Sequence, residues 1–149
     1  MQVKRVLKTL AWFVAVTAAL RLVGELTARR YESGDEESED VQLAAFWGGR
    51  DFRSRAENLR SIRGRVVLGG INLDLTEATL HTEGTSIDLD VRLGGVNIEV
   101  PPTWHVDVDD RMQAGGVAID VPDQAGEGAP LLQITLRGSA GGVNVEAKH

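Results

Sequence analysis

Residues 93–100 read LGGVNIEV, and the same phrase recurs along the chain. It is LGGINLDL at 68–75, AGGVAIDV at 114–121 and AGGVNVEA at 140–147, and a fifth Gly-Gly pair stands at 48–49. Successive pairs are 21, 25, 21 and 26 residues apart. A period of this length is typical of solenoids, in which each unit buries its apolar face by stacking on a neighbour.

The alternation of apolar residues changes phase at each Gly-Gly pair. Apolar side chains occupy odd positions over residues 87–93 and even positions over residues 96–100. Because a strand has a side-chain period of two, such a slip would turn the second set outward unless a corner or bulge absorbs it. Glycine accepts the backbone conformations that a corner needs. We therefore predict an all-β domain, a short β-solenoid-like repeat with structural corners at Gly69, Gly70, Gly94, Gly95, Gly115, Gly116, Gly141 and Gly142.

Polar positions recur in step with the repeat and predict two columns on its outer surface. One column is formed by Asn72, Asn97, Ala118 and Asn144, and the other by Asp74, Glu99, Asp120 and Glu146. Stacked Asn side chains can hydrogen-bond along a ladder, whereas stacked carboxylates repel one another. We interpret the carboxylates as a solvated face that nearby arginines relieve, namely Arg65, Arg92, Arg111 and Arg137. A weak cation-binding strip is the alternative, although outward oxygens of this kind do not converge on one ion.

Composition excludes several classes of function. The chain of 149 residues has no cysteine, so a disulfide scaffold, a thiol nucleophile and cysteine-based metal sites are absent. The formal net charge is −6 and the basic residues are dispersed, which gives nucleic-acid binding little electrostatic support.

The N-terminal region differs in kind from the repeats. Residues 9–20 (TLAWFVAVTAAL) are uncharged and apolar, and basic residues flank them on both sides. Extended to residues 6–24, the run reaches a membrane-spanning length, so we expect a membrane anchor within residues 1–30. A cleaved signal peptide, an interfacial helix and a soluble helix packed on the repeats remain open alternatives. Three basic residues precede the run and three follow it, so the side of the membrane that holds the repeats is undetermined.

The remaining chain divides into a linker and a repeat domain. Residues 31–43 begin with the acidic run YESGDEESED, which predicts a solvated linker. Residues 44–149 form the predicted repeat domain, whose first unit, at 44–53 (AAFWGGRDFR), is atypical, as a cap should be. The last phrase, at 143–147, is followed by two residues, so we expect its strand to be the uncovered edge of the stack.

A search for chemistry finds no catalytic, cofactor-binding or metal-binding set, and we predict that the protein is not an enzyme. The three histidines, His81, His105 and His149, have no metal-ligand spacing, and no phosphate-binding glycine loop leads into a helix. The strongest argument for an enzyme is a cluster of carboxylates, which would have to be buried to tune their pKa values: Asp88, Asp90, Asp107, Asp109 and Asp110. Trp104 has the inward phase of its strand and is expected in the core.

Two segments resemble a known family. Residues 67–78 (VLGGINLDLTEA) and 93–106 (LGGVNIEVPPTWHV) are similar to the C-terminal domain of LiaF-type proteins, the cell-wall-active antibiotic response proteins, and the resemblance covers about residues 44–147. It implies a β-solenoid-like domain in a bacterial envelope whose role is to restrain a sensor histidine kinase. The family offers no catalytic residues.

These observations lead to two hypotheses of different classes. In the first, the chain is a non-enzymatic, membrane-tethered protein of the cell envelope, single-pass in the cell membrane, that acts as a regulator or sensor module in an envelope or antibiotic stress response by binding a protein. In the second, it is a self-assembling structural β-solenoid scaffold, a homo-oligomer built by stacking of exposed strand edges. Neither hypothesis requires a cofactor.

Overall fold

The computed structural model of the chain describes residues 17–19, 22–23, 26–27, 32–122 and 126–148. The three short N-terminal stretches are helical. The rest is built on six strands: β1 (Asp40–Arg53), β2 (Ser61–Asp74), β3 (Thr85–Val100), β4 (His105–Met112), β5 (Gly115–Asp120) and β6 (Leu131–Ala147). All strand pairs are parallel and belong to one sheet, so the all-β prediction is confirmed.

The strand order departs from the order of the repeats in the sequence. The sheet runs β1-β2-β3-β6-β4, and β5 also pairs with β6. Between β4 and β5 the contact with β6 continues, because the Gln113 N–H donates to the Gly138 carbonyl at 3.1 Å and the Gly141 N–H donates to the Ala114 carbonyl at 3.2 Å. β4 and β5 therefore form one edge, and the last repeat lies inside the sheet.

The expectation that residues 143–147 form the uncovered edge is therefore wrong. β6 is paired along both sides, and its core-facing residues, such as Leu132, Ile134 and Val145, are fully buried. β4 and β5 carry four aspartates and expose most of their side chains. Strands rich in charge are favoured at sheet edges and apolar strands in the middle. This preference accounts for the position of β4 and β5 at the edge and of β6 inside the sheet.

The apolar phase changes at the corners as the sequence predicts. On β3, Ile87, Leu89 and Val91 are buried before the Gly-Gly pair, and the even positions 96, 98 and 100 are buried after it. Both halves of each bent strand thus face one core. Leu93 is the exception: it continues the odd phase but is 53% exposed, because the backbone turns away from the core just before the glycines.

The connections between strands enclose the remaining side of the core. Leu59 and Leu80 form a parallel bridge between the β1–β2 and β2–β3 connections, and the Leu59 N–H donates to the Thr79 carbonyl at 2.8 Å. Thr85 is buried and its hydroxyl donates to the Leu59 carbonyl at 2.5 Å. Trp104, in the connection from β3 to β4, is buried, as expected. The connections therefore stack in the same direction as the strands.

At three of the four predicted corners the first glycine of the pair, Gly69, Gly94 or Gly115, has a positive φ, whereas on β6 the glycine with positive φ is Gly138, ahead of the pair. Gly94 has φ +151°, and a Cβ at that position would overlap the carbonyl oxygen of Gly69 on the neighbouring strand. Gly115 has φ +125° and would meet the Gly141 carbonyl in the same way. Gly95 lacks a positive φ, and its Cβ would lie 3.5 Å from the Gly142 oxygen, an ordinary contact. The two glycines of a predicted corner are thus not equivalent.

Residues 32–39, predicted as part of a solvated linker, lie against β1. Ser33 forms an antiparallel bridge with Gln42, and the side chains of Glu32 and Glu36 accept from Arg50 at 3.0 Å and Arg55 at 2.6 Å. β1 itself begins at Asp40, inside the predicted linker of residues 31–43, because residues 41 and 43 already have the core-facing phase. The acidic segment thus finds arginine partners on the sheet.

We expect Gly94→Ala to lower the free energy of unfolding by about 3 kcal/mol, because a side chain at this φ is strained and its Cβ must displace the Gly69 carbonyl. The matched Gly95→Ala variant should change it by less than about 1 kcal/mol. Urea denaturation of both variants followed by circular dichroism measures the difference. Equal effects would contradict the close approach at the first glycine.

Candidate functional site

The carboxylates that offered the strongest case for an enzyme do not form a catalytic pair. Asp90 lies 3.7 Å from the Arg65 guanidinium and 4.0 Å from that of Arg92, and Asp109 accepts from Arg111 at 2.9 Å. The bond from Arg111 holds the pKa of Asp109 below its ordinary value. Asp88 is separated from Asp109 by Thr135 on the intervening strand. Asp90 and Asp109 are thus each paired with arginine rather than with another carboxylate.

The remaining sequence candidates are equally dispersed. His105 is exposed at the start of β4, and His81 accepts a bond from the Glu83 N–H at 3.1 Å within a turn. Asp107 lies in register with Gln133. Within the parts of the chain that the structure describes, no three His, Cys, Asp or Glu side chains are grouped to hold a metal ion. His149 lies outside the described residues.

The predicted Asn column exists as a row of aligned residues across the sheet. Asn72, Asn97 and Asn144 are in register, and the Asn144 amide donates to the Asn97 carbonyl oxygen at 2.9 Å. Asn72 instead donates to Asp51 on β1 at 2.5 Å, and Asn97 to Glu146 at 3.5 Å. The ladder is therefore shared between amides and carboxylates.

The predicted acidic column is present, but other basic residues than those expected relieve it. Arg53 donates to Asp74 at 2.8 Å, and Lys148 donates to Glu99 at 2.9 Å. The bond to Glu99 raises the pKa of Lys148. The four arginines named from the sequence lie on the other half of the bent strands, since Arg65, Arg111 and Arg137 share the register of Asp90. Each half of the strands thus carries its own set of charges.

Asp74 contributes acid-sensitive stability. Partial burial raises its pKa, but bonds donated by Thr76 and Arg53 outweigh burial and hold the pKa below its ordinary value of 3.8. The ionised form is therefore favoured in the folded protein. The stabilisation of the folded state by ionised Asp74 is present above the unfolded-state pKa of this group. It is lost as the pH falls through the folded-state pKa.

We expect Asp74→Asn to be less stable than the unmodified chain at neutral pH, by about 1 kcal/mol, because the charged bond with Arg53 is lost. The deficit should shrink as the pH is lowered from about 5 to about 2, where Asp74 itself becomes protonated. Thr76→Val should reproduce part of this effect. Denaturant midpoints across this range measure it, and a deficit that did not vary with pH would contradict it.

The edge formed by β4 and β5 leaves one end of the core open. Ile119 has the core-facing phase and is in register with Val145, yet Ile119 is 52% exposed and Val145 is 0% exposed. Among the described residues, β4 and β5 pair only with β6. At the opposite edge Val41 is 1% exposed and residues 32–39 lie against β1. Residues 32–39 thus cover the start of β1, whereas Trp47, Gly48, Gly49, Arg50 and Asp51 in its second half are exposed.

The open edge is acidic and partly apolar. Residues 105–120 contain Asp107, Asp109, Asp110 and Asp120 against a single arginine, Arg111. Alongside these charges, core-facing side chains remain only partly buried, namely Val106, Val108, Met112 and Val117. Charge on an edge discourages pairing with unrelated strands, and it also selects which strand can pair. The arrangement suits a strand of alternating apolar and basic residues.

Sequence reasoning missed an exposed apolar ridge at the corners. Trp47, Leu68 and Leu93 each precede a Gly-Gly pair on adjacent strands, and they are 54%, 37% and 53% exposed. Trp47 is the one non-glycine residue in the described part of the chain with positive φ, at +58°. This left-handed conformation costs about 1 kcal/mol for an ordinary residue. The signal in the sequence was an apolar residue directly before the glycines of these three strands, which strict alternation assigns to the core.

The predicted membrane anchor within residues 1–30 falls largely outside the described residues. Within the described stretches, no helix combines the length and apolar character needed to cross a membrane.

Comparisons with protein-family models, with curated proteins and with solved structures each found no match to this chain. The conclusions below therefore depend on the chain's own residues and geometry.

Proposed function

We propose that this protein is a non-enzymatic binding module that accepts a strand from a protein partner at the β4–β5 edge. The observation that carries the proposal is the open core position on β5: Ile119 is half exposed, whereas Val145, in register with it on β6, is fully buried. An unpaired edge beside open core positions offers both main-chain hydrogen bonds and apolar contacts, which is the mode of β-strand addition.

The chemistry of the edge defines the partner strand. Its apolar side chains would cover Ile119 and Val117 on the core side, and its basic side chains would face the outward-phase Asp107 and Asp109. Complementary charge raises the rate of association and excludes acidic competitors. The partner is therefore an extended segment in which apolar residues alternate with lysine or arginine.

The architecture that supports this proposal is a short β-solenoid with corners at the Gly-Gly pairs. Two observations favour it over a flat parallel sheet: apolar residues face one core on both sides of each corner, and the connections hydrogen-bond to one another along the stack. Stacking of this kind always leaves two terminal faces, and each must be covered or used.

The alternative, a self-assembling scaffold, is less well supported by the two edges. Head-to-tail stacking would need the β4–β5 edge of one copy to pair with β1 of the next, and residues 32–39 already occupy the first part of that strand through the bridge of Ser33 with Gln42. Edge-to-edge pairing of two β4–β5 strands would bring four aspartates of each copy together. Like charges opposite one another destabilise strand pairing.

The resemblance to LiaF-type proteins suggests where the module works. We propose a single-pass protein of the cell membrane, tethered through residues 1–30, that takes part in an envelope or antibiotic stress response as a regulator or sensor module. A sensor histidine kinase is the partner that the resemblance favours. Nothing in this role requires a cofactor or a catalytic residue.

We expect a synthetic peptide of alternating Val and Lys to bind the full chain, and one of alternating Val and Glu to fail, because the edge is acidic. Ile119→Lys should weaken binding roughly tenfold or more, since it removes an apolar contact and adds a repelling charge. Fluorescence anisotropy with labelled peptides measures both effects.

Asn72→Lys is the matched control for this experiment, because it adds the same charge in the middle of the sheet. A photo-crosslinking residue at Ala118 on β5 should capture the peptide, and one at Asn72 should not. Binding that is insensitive to Ile119→Lys, or preference for the Glu peptide, would refute strand addition here. Sedimentation that grows with concentration and is blocked by Ile119→Lys would favour the scaffold instead.

We expect the full chain to stay in the membrane fraction after washing with high salt and with carbonate, because an apolar run of spanning length resists both. A chain beginning at Val41 should be released from the membrane fraction. Release of the full chain by salt alone would favour an interfacial helix. An N-terminus mapped near Ala18 would favour a cleaved signal peptide.

A further inference from the structure

The outer surface of the corners combines exposed apolar residues on three adjacent strands. Trp47 on β1, Leu68 on β2 and Leu93 on β3 each directly precede a glycine, and Gly48 pairs with Gly69 and Gly69 with Gly94; the register partner of Leu68 is Phe46, because Trp47 is an inserted residue. Neighbouring strands lie about 4.8 Å apart, so the three exposed residues lie on adjacent strands at the bend. We call Trp47, Leu68 and Leu93 the corner ridge.

An arginine cluster lies beside the corner ridge. Arg65, Arg111 and Arg137 occupy one row across the sheet with Asp90, and Arg92 directly precedes Leu93. Asp90 pairs with Arg65 and Arg92, and Asp109 pairs with Arg111, which Asp110 directly precedes. A depression of about 390 Å³ has its polar lining from Asp90, Arg92, Arg111, Gln113, Arg137 and Ser139, of which Arg92 adjoins Leu93 in the chain. This row is locally basic in a chain of net charge −6.

Trp47 is held in an unfavourable backbone conformation at the end of this ridge. Register shifts on both sides of Phe46 place Trp47 as an extra residue of β1, with φ +58° and a side chain 54% exposed. Strained conformations that present a side chain to solvent concentrate at functional positions. An indole here contributes little to the core, so its exposure needs another account.

We propose that the corner ridge and the arginine cluster together form a surface that docks on an anionic phospholipid bilayer. Trp is favoured at the headgroup level of a bilayer, and leucines reach the adjoining acyl region. Guanidinium groups bind phosphate through paired hydrogen bonds. The ridge lies on the convex side of a bend, a shape that meets a flat bilayer better than a pocket would. This surface is distinct from the β4–β5 core opening that we propose for a partner strand.

Charge complementarity favours lipid over a second copy of the chain. Two corner ridges brought together would place the arginines of one copy against those of the other. An anionic bilayer instead offers many phosphates in one plane. Each arginine near an anionic surface strengthens binding by roughly fivefold.

Trp47 provides a direct reporter of docking. The chain has three tryptophans, and Trp12→Phe leaves two of them, the exposed Trp47 and the buried Trp104. We expect brominated phospholipids to quench Trp47 of the full chain in vesicles containing phosphatidylglycerol and not in vesicles of phosphatidylcholine alone. Trp104 should remain unquenched and report that the core is folded.

Two double variants test whether the arginine cluster, rather than positive charge elsewhere on the protein, contributes to docking on the bilayer. Arg92→Gln with Arg137→Gln should lower the docking equilibrium constant, derived from the quenched fraction of Trp47, by roughly 30-fold. Arg53→Gln with Lys148→Gln removes the same charge beside the acidic column and should leave quenching unchanged. Leu93→Ser should also reduce quenching, with circular dichroism confirming the fold.

Four outcomes would overturn the proposal. They are an absence of Trp47 quenching, equal quenching in vesicles without anionic lipid, equal loss in the two double variants, and a lipid-independent dimer in sedimentation that Leu93→Ser abolishes. The last outcome would assign the ridge to contacts between copies of this chain.

Discussion

The close approach of neighbouring backbones at the Gly-Gly corners is the constraint on which the structure depends. The carbonyl oxygen of Gly69 occupies the position that a Cβ on Gly94 would need. Only because the side chain is missing can both strands turn at the same place and remain hydrogen-bonded through the turn. Because the strand bends there, both of its halves can face one core. The same bend puts the residue before a Gly-Gly pair on the outside. The exposed ridge is therefore a direct consequence of the packing that makes the corner possible.

Carboxylates lie at both edges of the sheet, but they act differently at each edge. At β1, acidic residues 32–39 lie on the sheet and bind Arg50 and Arg55. At β4 and β5, aspartates in the strand itself keep the edge polar while Ile119 remains half exposed. Carboxylates thus lie on the start of β1 and keep the β4–β5 edge polar. The open core position at Ile119 is the observation on which our proposal of a partner strand rests.

Much of the architecture could be predicted from local pattern, because side-chain period and glycine placement are local properties. The all-β class, the phase change at each corner and the buried Trp104 follow from residues near one another in the sequence. The order of β6 relative to β4 and β5 does not, since it depends on competition between whole strands for one neighbour. The partners of Asp74 and Glu99, Arg53 and Lys148, come from other strands and follow only from the register. Exposure of Leu93 is a similar case, because alternation alone cannot tell where the backbone leaves the core.

The position of β6 has a consequence for the order in which the sheet can be assembled. β1, β2 and β3 can pair one after another as the chain is synthesised, but β4 and β5 have no described neighbour until β6 exists. During that interval one edge of β3 is unpaired. The strands β4 and β5 are also unpaired until β6 has been synthesised. Pairing of this kind is non-local and slow, and exposed edges in the waiting state are vulnerable to aggregation. The 17 residues of β6 therefore act as an internal strand donor, and folding of the completed chain ends with the same kind of event, insertion beside an open edge, that we propose for its partner.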